Sequence, residues 1–518
     1  MMAPSTQVSS NGTRGDVAAI DLGSNSFHLL LAQEEGGDVR VVDRIKVRVA
    51  LAEGLTEEAG ITPEARARAL DCLARFGQRL KGFDPVRVSA VGTNTFRAAR
   101  DGGQFLEEAS LALGFPIEIV SGAEEARLIY AGVRFASGFY KRRILCVDIG
   151  GGSTEFAVGK SERVDVAESL RMGCVTWSER YFPGGKVDEK RFEHAVRAAR
   201  LVLRSVASSL RAEAVDLYVG SSGTALSIVA VIEAMGWEPV ADVAETAGHF
   251  SRGGLMRLRD ALIEAGSTTS LSLEGLSDTR APVLAGGLAI MVAVFDALRI
   301  ERMVVSDGAL REGLLANLVG QLHHADPRHA TVQAMAERFS VDEQQAARVT
   351  KTALLLFEAV RRPWNLGKKR DGTMLGWGAQ LHELGLSVNH DGYRTHGSYL
   401  VANADMAGFT RNEQERLAVL VLSHRGRLRP EVFVHFRTEL REGLVAVTML
   451  LRIARILHRS RSTRPLPEWN PVASDVDGVR VLELGIPSDW CEEHPLTFVD
   501  LAEEAERWPR LGFELRMG

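Results

Sequence analysis

The chain repeats itself, and the repeat limits what it can fold into more than any other feature. Ala18-Ala19-Ile20-Asp21-Leu22-Gly23-Ser24-Asn25-Ser26 aligns with Leu145-Cys146-Val147-Asp148-Ile149-Gly150-Gly151-Gly152-Ser153 at a constant offset of 127. Each run reads as an apolar strand closing on Asp, a turn of small residues and an apolar return, Phe27 to Ala32 and Phe156 to Gly159. Val88 to Thr95 and Asp216 to Gly223 align at an offset of 128, each a strand, a Gly/Ser/Thr loop and a helix start. One D-x-G turn could simply cap a hairpin. Two matched pairs at nearly one offset predict two homologous α/β halves.

The turn chemistry indicates what the halves would bind. Glycines let the backbone approach an anion, so the N–H groups of Gly23, Asn25, Gly150, Gly151 and Gly152 and the hydroxyls of Ser24, Ser26, Ser153 and Thr154 can donate to phosphate oxygens. Ser221, Ser222, Gly223 and Thr224 offer the same chemistry in the second loop. Asp21 and Asp148 would face those phosphates and repel them, so both are read as holding Mg²⁺, or Mn²⁺, between carboxylate and phosphate.

Other classes are excluded by bulk properties. At ~100–200 residues per domain, 518 residues predict several domains. Hydrophobic residues at 45% and charged residues at 25% are globular values, which argues against disorder. With 62 basic and 67 acidic residues the net charge is −5, so no nucleic-acid partner is expected, and a polyanion would need local basic clusters. Cys72, Cys146, Cys174 and Cys491 form no C-x-x-C pair. The longest uncharged stretch, Leu217 to Ile232, is broken by Gly and Ser and is shorter than the ~18 apolar residues of a membrane span. The first fifteen residues have no apolar h-region, and a cytoplasmic location is expected.

The strings DLGSNSFH (21–28), VGTNTFR (91–97), SGAEEARLIY (121–130), DIGGGSTE (148–155), RMGCVTW (171–177), GSSGT (220–224) and SDGALREG (306–313) closely resemble the exopolyphosphatase / guanosine pentaphosphate phosphatase family, within the actin-like phosphotransferases. The resemblance runs from about Ala18 to beyond Val401. It implies an α/β fold of two ribonuclease-H-like domains with a cleft between them, followed by an all-α HD-like domain and a small α+β piece. It also implies Mg²⁺-dependent hydrolysis of terminal phosphoanhydrides. The expected layout is a loose tail over 1–15, actin-like halves over 16–139 and 140–318, a helical HD-like domain over 319–460, a linker over 461–477 and a C-terminal segment over 478–518. Inorganic polyphosphate is the expected substrate, with guanosine pentaphosphate as the alternative, and a homodimer is expected. A sugar or acetate kinase and a filament-forming ATPase of the same superfamily are the rivals.

Hydrolysis needs an aimed water, a carboxylate to orient or deprotonate it, and cations to absorb charge. Ser121 and Glu124 have capping-box spacing, so Glu124 is read as closing a helix start. Glu125 lies about 100° further round and is free for other work. The resemblance places the catalytic Glu at Glu125 and implies a grouping of Asp148, Glu155 and Mg²⁺. Arg97 is a candidate phosphate ligand. Arg44, Lys46 and Arg48 alternate with Ile45, Val47 and Val49, so on a strand the cations share one face, a track for an extended polyanion. Arg361-Arg362, Lys368-Lys369-Arg370 and Arg425, Arg427 and Arg429 add later basic clusters.

After Leu318 helical periodicity takes over, as in Ala346 to Val360 and Glu413 to Leu422. His382-Glu383, His390-Asp391, His396 and His424 invite a metal reading. An HD site needs an upstream His and a His-Asp pair; no His stands between His329 and His382, and the pair reads His-Glu. A degenerate domain is expected.

Overall fold

The computed structural model describes residues 15–35, 38–56, 60–98, 102–137, 139, 142–212, 214–238, 248–268, 273–322, 326–476 and 478–517. Except for Gly15, the expected N-terminal tail lies outside the described residues. The chain forms two compact units, 1–327 and 328–518.

The duplication is visible in the sheets of the first unit. Strands β1 (Asp16–Leu22), β2 (Ser26–Glu35) and β3 (Asp38–Arg48) form an antiparallel meander, and after the small ribbon of β4 (Leu55–Thr56) and β5 (Gly60–Ile61), β6 (Val88–Gly92) and β7 (Ile117–Ile119) add in parallel. The order is β3-β2-β1-β6-β7. The second half repeats it with β8 (Arg143–Ile149), β9 (Thr154–Lys160), β10 (Arg163–Leu170), β11 (Leu217–Ser221), β12 (His249–Ser251) and β13 (Arg302–Val305), in the order β10-β9-β8-β11-β13-β12. Only the antiparallel edge strand β12 is added. The parallel neighbours slip slightly: Ala18 faces Val88, whereas its counterpart Leu145 faces Tyr218, so the spatial offset there is 130 and not the 128 of the aligned loops. A slip of two residues keeps every side chain on its face.

Apolar packing fills three layers. Helices Pro63–Arg79 and Gly102–Leu113 cover the outer face of the first sheet with Ala69, Leu73, Phe76 and Phe105. Helices centred on Ala281–Leu298 cover the second sheet. That helix is long and apolar enough to cross a membrane, but here most of it is buried as a core element, where Gly286 N–H donates to Ser178 Oγ at 3.2 Å. Between the sheets lie two exchanged helices. Gly122–Ser137, from the first half, packs on β8, β9 and β10, and Leu310–Leu322, from the second, packs on β1 and β2.

The two exchanged helices touch through glycines. A Cβ on Gly132 would overlap Ala309 O, and one on Gly313 would overlap Leu128 O, so the backbones meet with no side chain between them.

The second unit is mainly helical, including Glu343–Val360, Thr373–Leu381, Tyr393–Asn403, Arg411–Ser423 and Thr438–Leu457. Two expected boundaries need correction. Position 318 falls inside the helix Leu310–Leu322, and the units divide at 327/328. The expected linker contains β14 (Val472–Val476), whose Ser474 carbonyl accepts from Trp364 Nε1 at 3.0 Å. With β15 (Val479–Glu483) and β16 (Phe513–Arg516) it makes a three-stranded sheet. The C-terminal segment docks on the helices: Leu482, Leu501, Trp508 and Phe513 share one core with Val349, Leu356 and Leu450. A segment of that length cannot bury a core alone. Glu504, bonded by Arg452 at 2.6 and 2.7 Å, anchors it to the helix Thr438–Leu457.

Candidate active site

A cleft of about 490 Å³ opens in the first unit where the two hairpin turns converge. Asp21, Gly23, Ser24, Asn25 and Ser26 line it from one hairpin; Asp148, Gly150, Gly151, Gly152, Ser153 and Glu155 line it from the other. Lys46, Glu125, Ser222 and Gly223 also reach it.

Register explains the convergence. Cross-strand partners on one face stand about 5 Å apart, so Asp21, His28 and Lys46 form a row across β1, β2 and β3. The matching row of the second half is Asp148, Glu155 and Ser169 across β8, β9 and β10. Ser169 Oγ donates to Glu155 Oε1 at 2.8 Å, and Ser221 Oγ to Asp148 Oδ2 at 2.6 Å.

Ser221 and Thr224 are buried and do not line the cleft; Thr224 Oγ1 donates to Ile149 O at 2.9 Å, tying the loop to the end of β8. Ser222 Oγ donates to the same carbonyl at 3.0 Å. Its φ of 68° is the left-handed backbone that non-glycine residues adopt mainly under local constraint.

The helix Gly122–Ser137 places Glu125 in the cleft. Ser121 Oγ accepts from Glu124 N at 3.1 Å, which caps the first turn. The Glu124 carboxylate forms a bidentate pair with Arg127 at 2.7 Å, and Arg127 in turn bonds Asn317 at 3.1 Å. Glu125 takes Arg97 Nη2 at 3.0 Å, while Arg97 Nη1 is fixed on Val120 O at 2.6 Å. Arg97, expected as a phosphate ligand, is thus held on the catalytic candidate and lies outside the cleft lining.

Four carboxylates line the cleft. Burial and the charges of Glu125 and Asp148 push Asp21 up to about 8. Burial raises Asp148 against the hydrogen bonds from Ser221 and Ser222. Burial, Glu125 and Asp148 raise Glu155 well above the usual range, and burial raises Glu125 against the pull of Arg97. Asp21 Oδ1 is buried with no hydrogen-bond partner. Such a set fits a divalent cation, whose charge removes the mutual repulsion. Among the described residues, however, no three His, Cys, Asp or Glu side chains close around one point. The expected trio of Asp21, Asp148 and Glu155 divides between the hairpins, Asp21 on the first and the other two on the second, and Ser221 and Ser169 hold an oxygen each of Asp148 and Glu155. One or two of these carboxylates, completed by phosphate oxygens, is the donor set that Mg²⁺ takes.

The cations Lys46, Arg280 and Arg311 line the same cleft. Arg311 Nη1 stands 3.0 Å from His28 Nδ1. Burial, Arg311, Lys46 and Arg280 push His28 down to about 3; burial, Arg280 and Arg311 lower Lys46. A Cβ on Gly223 would overlap the Arg280 guanidinium, so glycine there admits the cation. Arg44, Lys46 and Arg48 do alternate along β3, but only Lys46 lines the cleft. Arg44 stands 3.7 Å from Asp307 and 3.8 Å from Glu312, and Arg48 pairs with Glu53 at 2.7 Å. Sequence reasoning missed Arg280 and Arg311 as site residues. Arg311 sits inside a quoted motif, so its position was available; Arg280 lies in a loop with no periodic signal.

In the second unit, His382 and His424 are buried with rings 5.3 Å apart, and their Nδ1 atoms stand 2.7 and 2.6 Å from the carbonyls of Ala379 and Val421. Arg461 holds Glu383 in a bidentate pair at 2.6 and 2.7 Å.

Two duplicated sheets of this order around a phosphate-type cleft define an actin-like two-domain protein. Residues 30–322 match the Ppx/GppA phosphatase family and residues 328–505 match Ppx/GppA phosphatase, domain III, and the chain belongs to that family. It is 36% identical over 500 residues to the guanosine-5'-triphosphate,3'-diphosphate pyrophosphatase of Aeromonas hydrophila, covering 96% of this chain and 98% of that one. The protein so described in Aeromonas salmonicida is 35% identical over the same shares. Among solved structures, an exopolyphosphatase from Cytophaga hutchinsonii matches with a TM-score of 0.53 and 26% identity, over 59% of this chain and 97% of that one. The Aquifex aeolicus PPX-GPPA enzyme matches with a TM-score of 0.50 and 25% identity, over 58% and 99%.

Proposed function

We propose that the chain hydrolyses the terminal phosphoanhydride bond of inorganic polyphosphate and releases orthophosphate. The observation that carries the reading is that one cleft collects four carboxylates, Asp21, Glu125, Asp148 and Glu155, together with the cations Lys46, Arg280 and Arg311. A phosphate chain supplies many oxygens to the cations and needs a metal to approach the carboxylates.

In this reading the hairpin turns and Ser222 donate hydrogen bonds to the terminal phosphate. Arg280, Arg311 and Lys46 take the charge of the departing chain. Glu125, kept in place by Arg97, orients the attacking water and accepts its proton. Asp148, with Glu155 or Asp21, would hold Mg²⁺ or Mn²⁺, which when bound supplies charge neutralisation at the phosphoryl oxygens. The helical unit is proposed as a degenerate HD-like domain that contributes substrate contacts and the homodimer surface of a cytoplasmic enzyme.

A second reading, hydrolysis of guanosine pentaphosphate, is favoured by a particular feature. Leu226, Ala230 and Gly275 line the same cleft, and Leu226 is 40% exposed. That apolar ledge has no use for bare polyphosphate and suits a nucleoside, and the Aeromonas relatives point the same way. Phosphate release from long polyphosphate and from guanosine pentaphosphate, compared by kcat/KM on one preparation, decides between them. Release from neither overturns both.

A further inference from the structure

We propose that His28 is a substrate-positioning residue, a neutral imidazole whose Nδ1 is fixed by Arg311 and whose Nε2–H donates to a phosphate oxygen in the cleft. The proposal rests on the phosphoanhydride reading above, but its central observation does not. A guanidinium has donors and no acceptor, so the 3.0 Å contact from Arg311 Nη1 requires His28 Nδ1 to present its lone pair. With Nδ1 unprotonated, the ring proton is on Nε2.

The surroundings hold the ring in that form. Lys46 neighbours His28 across the ladder, Arg280 faces it from the far loop, and both cations disfavour a second proton, as Arg311 does. Asp21 is the carboxylate directly across β1, and the Arg311 contact fixes the tautomer whatever its charge. Both Asp21 and Lys46 line the cleft beside His28. The imidazole therefore adds a directional donor to the cation wall without adding charge. Phosphate oxygens in the cleft have only acceptors to offer, and a fixed N–H there sets which oxygen lies against the wall.

The alternative is that His28 serves only as the seat of Arg311. Three variants separate the two roles. His28→Asn keeps an oxygen near the Nδ1 position and removes the distal donor; His28→Gln carries an N–H₂ near the Nε2 position; His28→Leu removes both. Loss of a hydrogen bond to a charged oxygen corresponds to about 10- to 100-fold. The expected result is a KM for tripolyphosphate raised at least about 10-fold in His28→Asn, with kcat falling less, and substantial recovery in His28→Gln. Equal behaviour of Asn and Gln, or losses in kcat alone, would overturn the role.

A spectroscopic arm needs no turnover. In protein labelled with ¹⁵N-histidine, the His28 resonances are assigned by their absence from His28→Gln. They should show a bare Nδ1 and a protonated Nε2, and the Nε2 signal should move on adding tripolyphosphate in EDTA. A protonated Nδ1, or no movement although tripolyphosphate binds, overturns the proposal. If the wild-type chain hydrolyses no phosphoanhydride, the proposed function falls, while the ring-nitrogen measurement still decides the role of His28.

Discussion

His28 and Glu155 occupy one and the same station in the two hairpins of a duplicated fold: His28 lies directly across the ladder from Asp21, and Glu155 directly across from Asp148. The scaffold is symmetric at this point and the chemistry is not. One copy carries a group held neutral among cations, the other an acid raised among acids. The divergence at this single station sets an imidazole in one hairpin where the other carries an acid.

Glu125→Gln should reduce turnover by ~10² to 10⁴ while leaving substrate binding largely intact, because the amide keeps the shape but cannot take a proton. Single-turnover kinetics with an equilibrium binding assay test this. Retention of more than about half the activity would reduce Glu125 to a helix-start residue.

Arg97→Ala should move the acid limb of the kcat profile to higher pH. Arg97 pulls the Glu125 pKa down, so its loss lets that pKa rise, and a base must be ionised to work. A limb that stays in place would show that Glu125 does not titrate in the rate-limiting step.

Activity should require Mg²⁺ or Mn²⁺, and Asp148→Ala should raise the metal concentration needed for half activity more than Glu124→Ala does. Glu124 is committed to Arg127, whereas Asp148 lines the cleft. Full wild-type activity in excess EDTA would refute this.

Arg280→Ala and Arg311→Ala should each raise KM by about 10- to 100-fold and flatten its dependence on salt, since fewer counterions are then released on binding. KM measured over a range of KCl is the check; an unchanged slope would place both guanidinia off the substrate.

Below neutrality the second unit should weaken. His458 Nε2 stands 2.8 Å from Thr352 Oγ1, and burial with Arg348 pushes its pKa from 6.5 to about 4. Between those values the unfolded chain binds a proton that the folded chain refuses. Stability therefore falls as pH drops from 6.5 towards 4, by up to about 1.4 kcal/mol per pH unit. Buried His382 and His424 are lowered too and add the same sign. His458→Gln should flatten the pH dependence of Tm; an unchanged slope would count against it.

Both hairpins, their aspartates and the strand-loop-helix units were legible in the sequence because a strand ending in Asp and small residues is a local pattern, and its repetition removes chance. Glu125 was legible through its place one residue past a capping pair. Spacing shows that Arg97 opens a helix but not what it turns towards; here it is Val120 O and Glu125. Arg280 was invisible, since its role comes from the bare backbone of Gly223, 57 residues away in sequence. The strand Val472–Val476 was hidden by nearby prolines and by its exposure, which removes the apolar alternation that marks strands.

The glycine contact between the two exchanged helices has a further consequence. One helix carries Glu125 and the other Arg311, so the gap between the wall proposed to activate water and the wall proposed to receive the phosphate chain is gauged by peptide against peptide. Side chains can adjust by changing rotamers, but two touching backbones have no such slack. The spacing of the two walls is therefore inherited as a fixed dimension of the main chain, and the selectivity of the cleft is free to drift only in the side chains hung upon it.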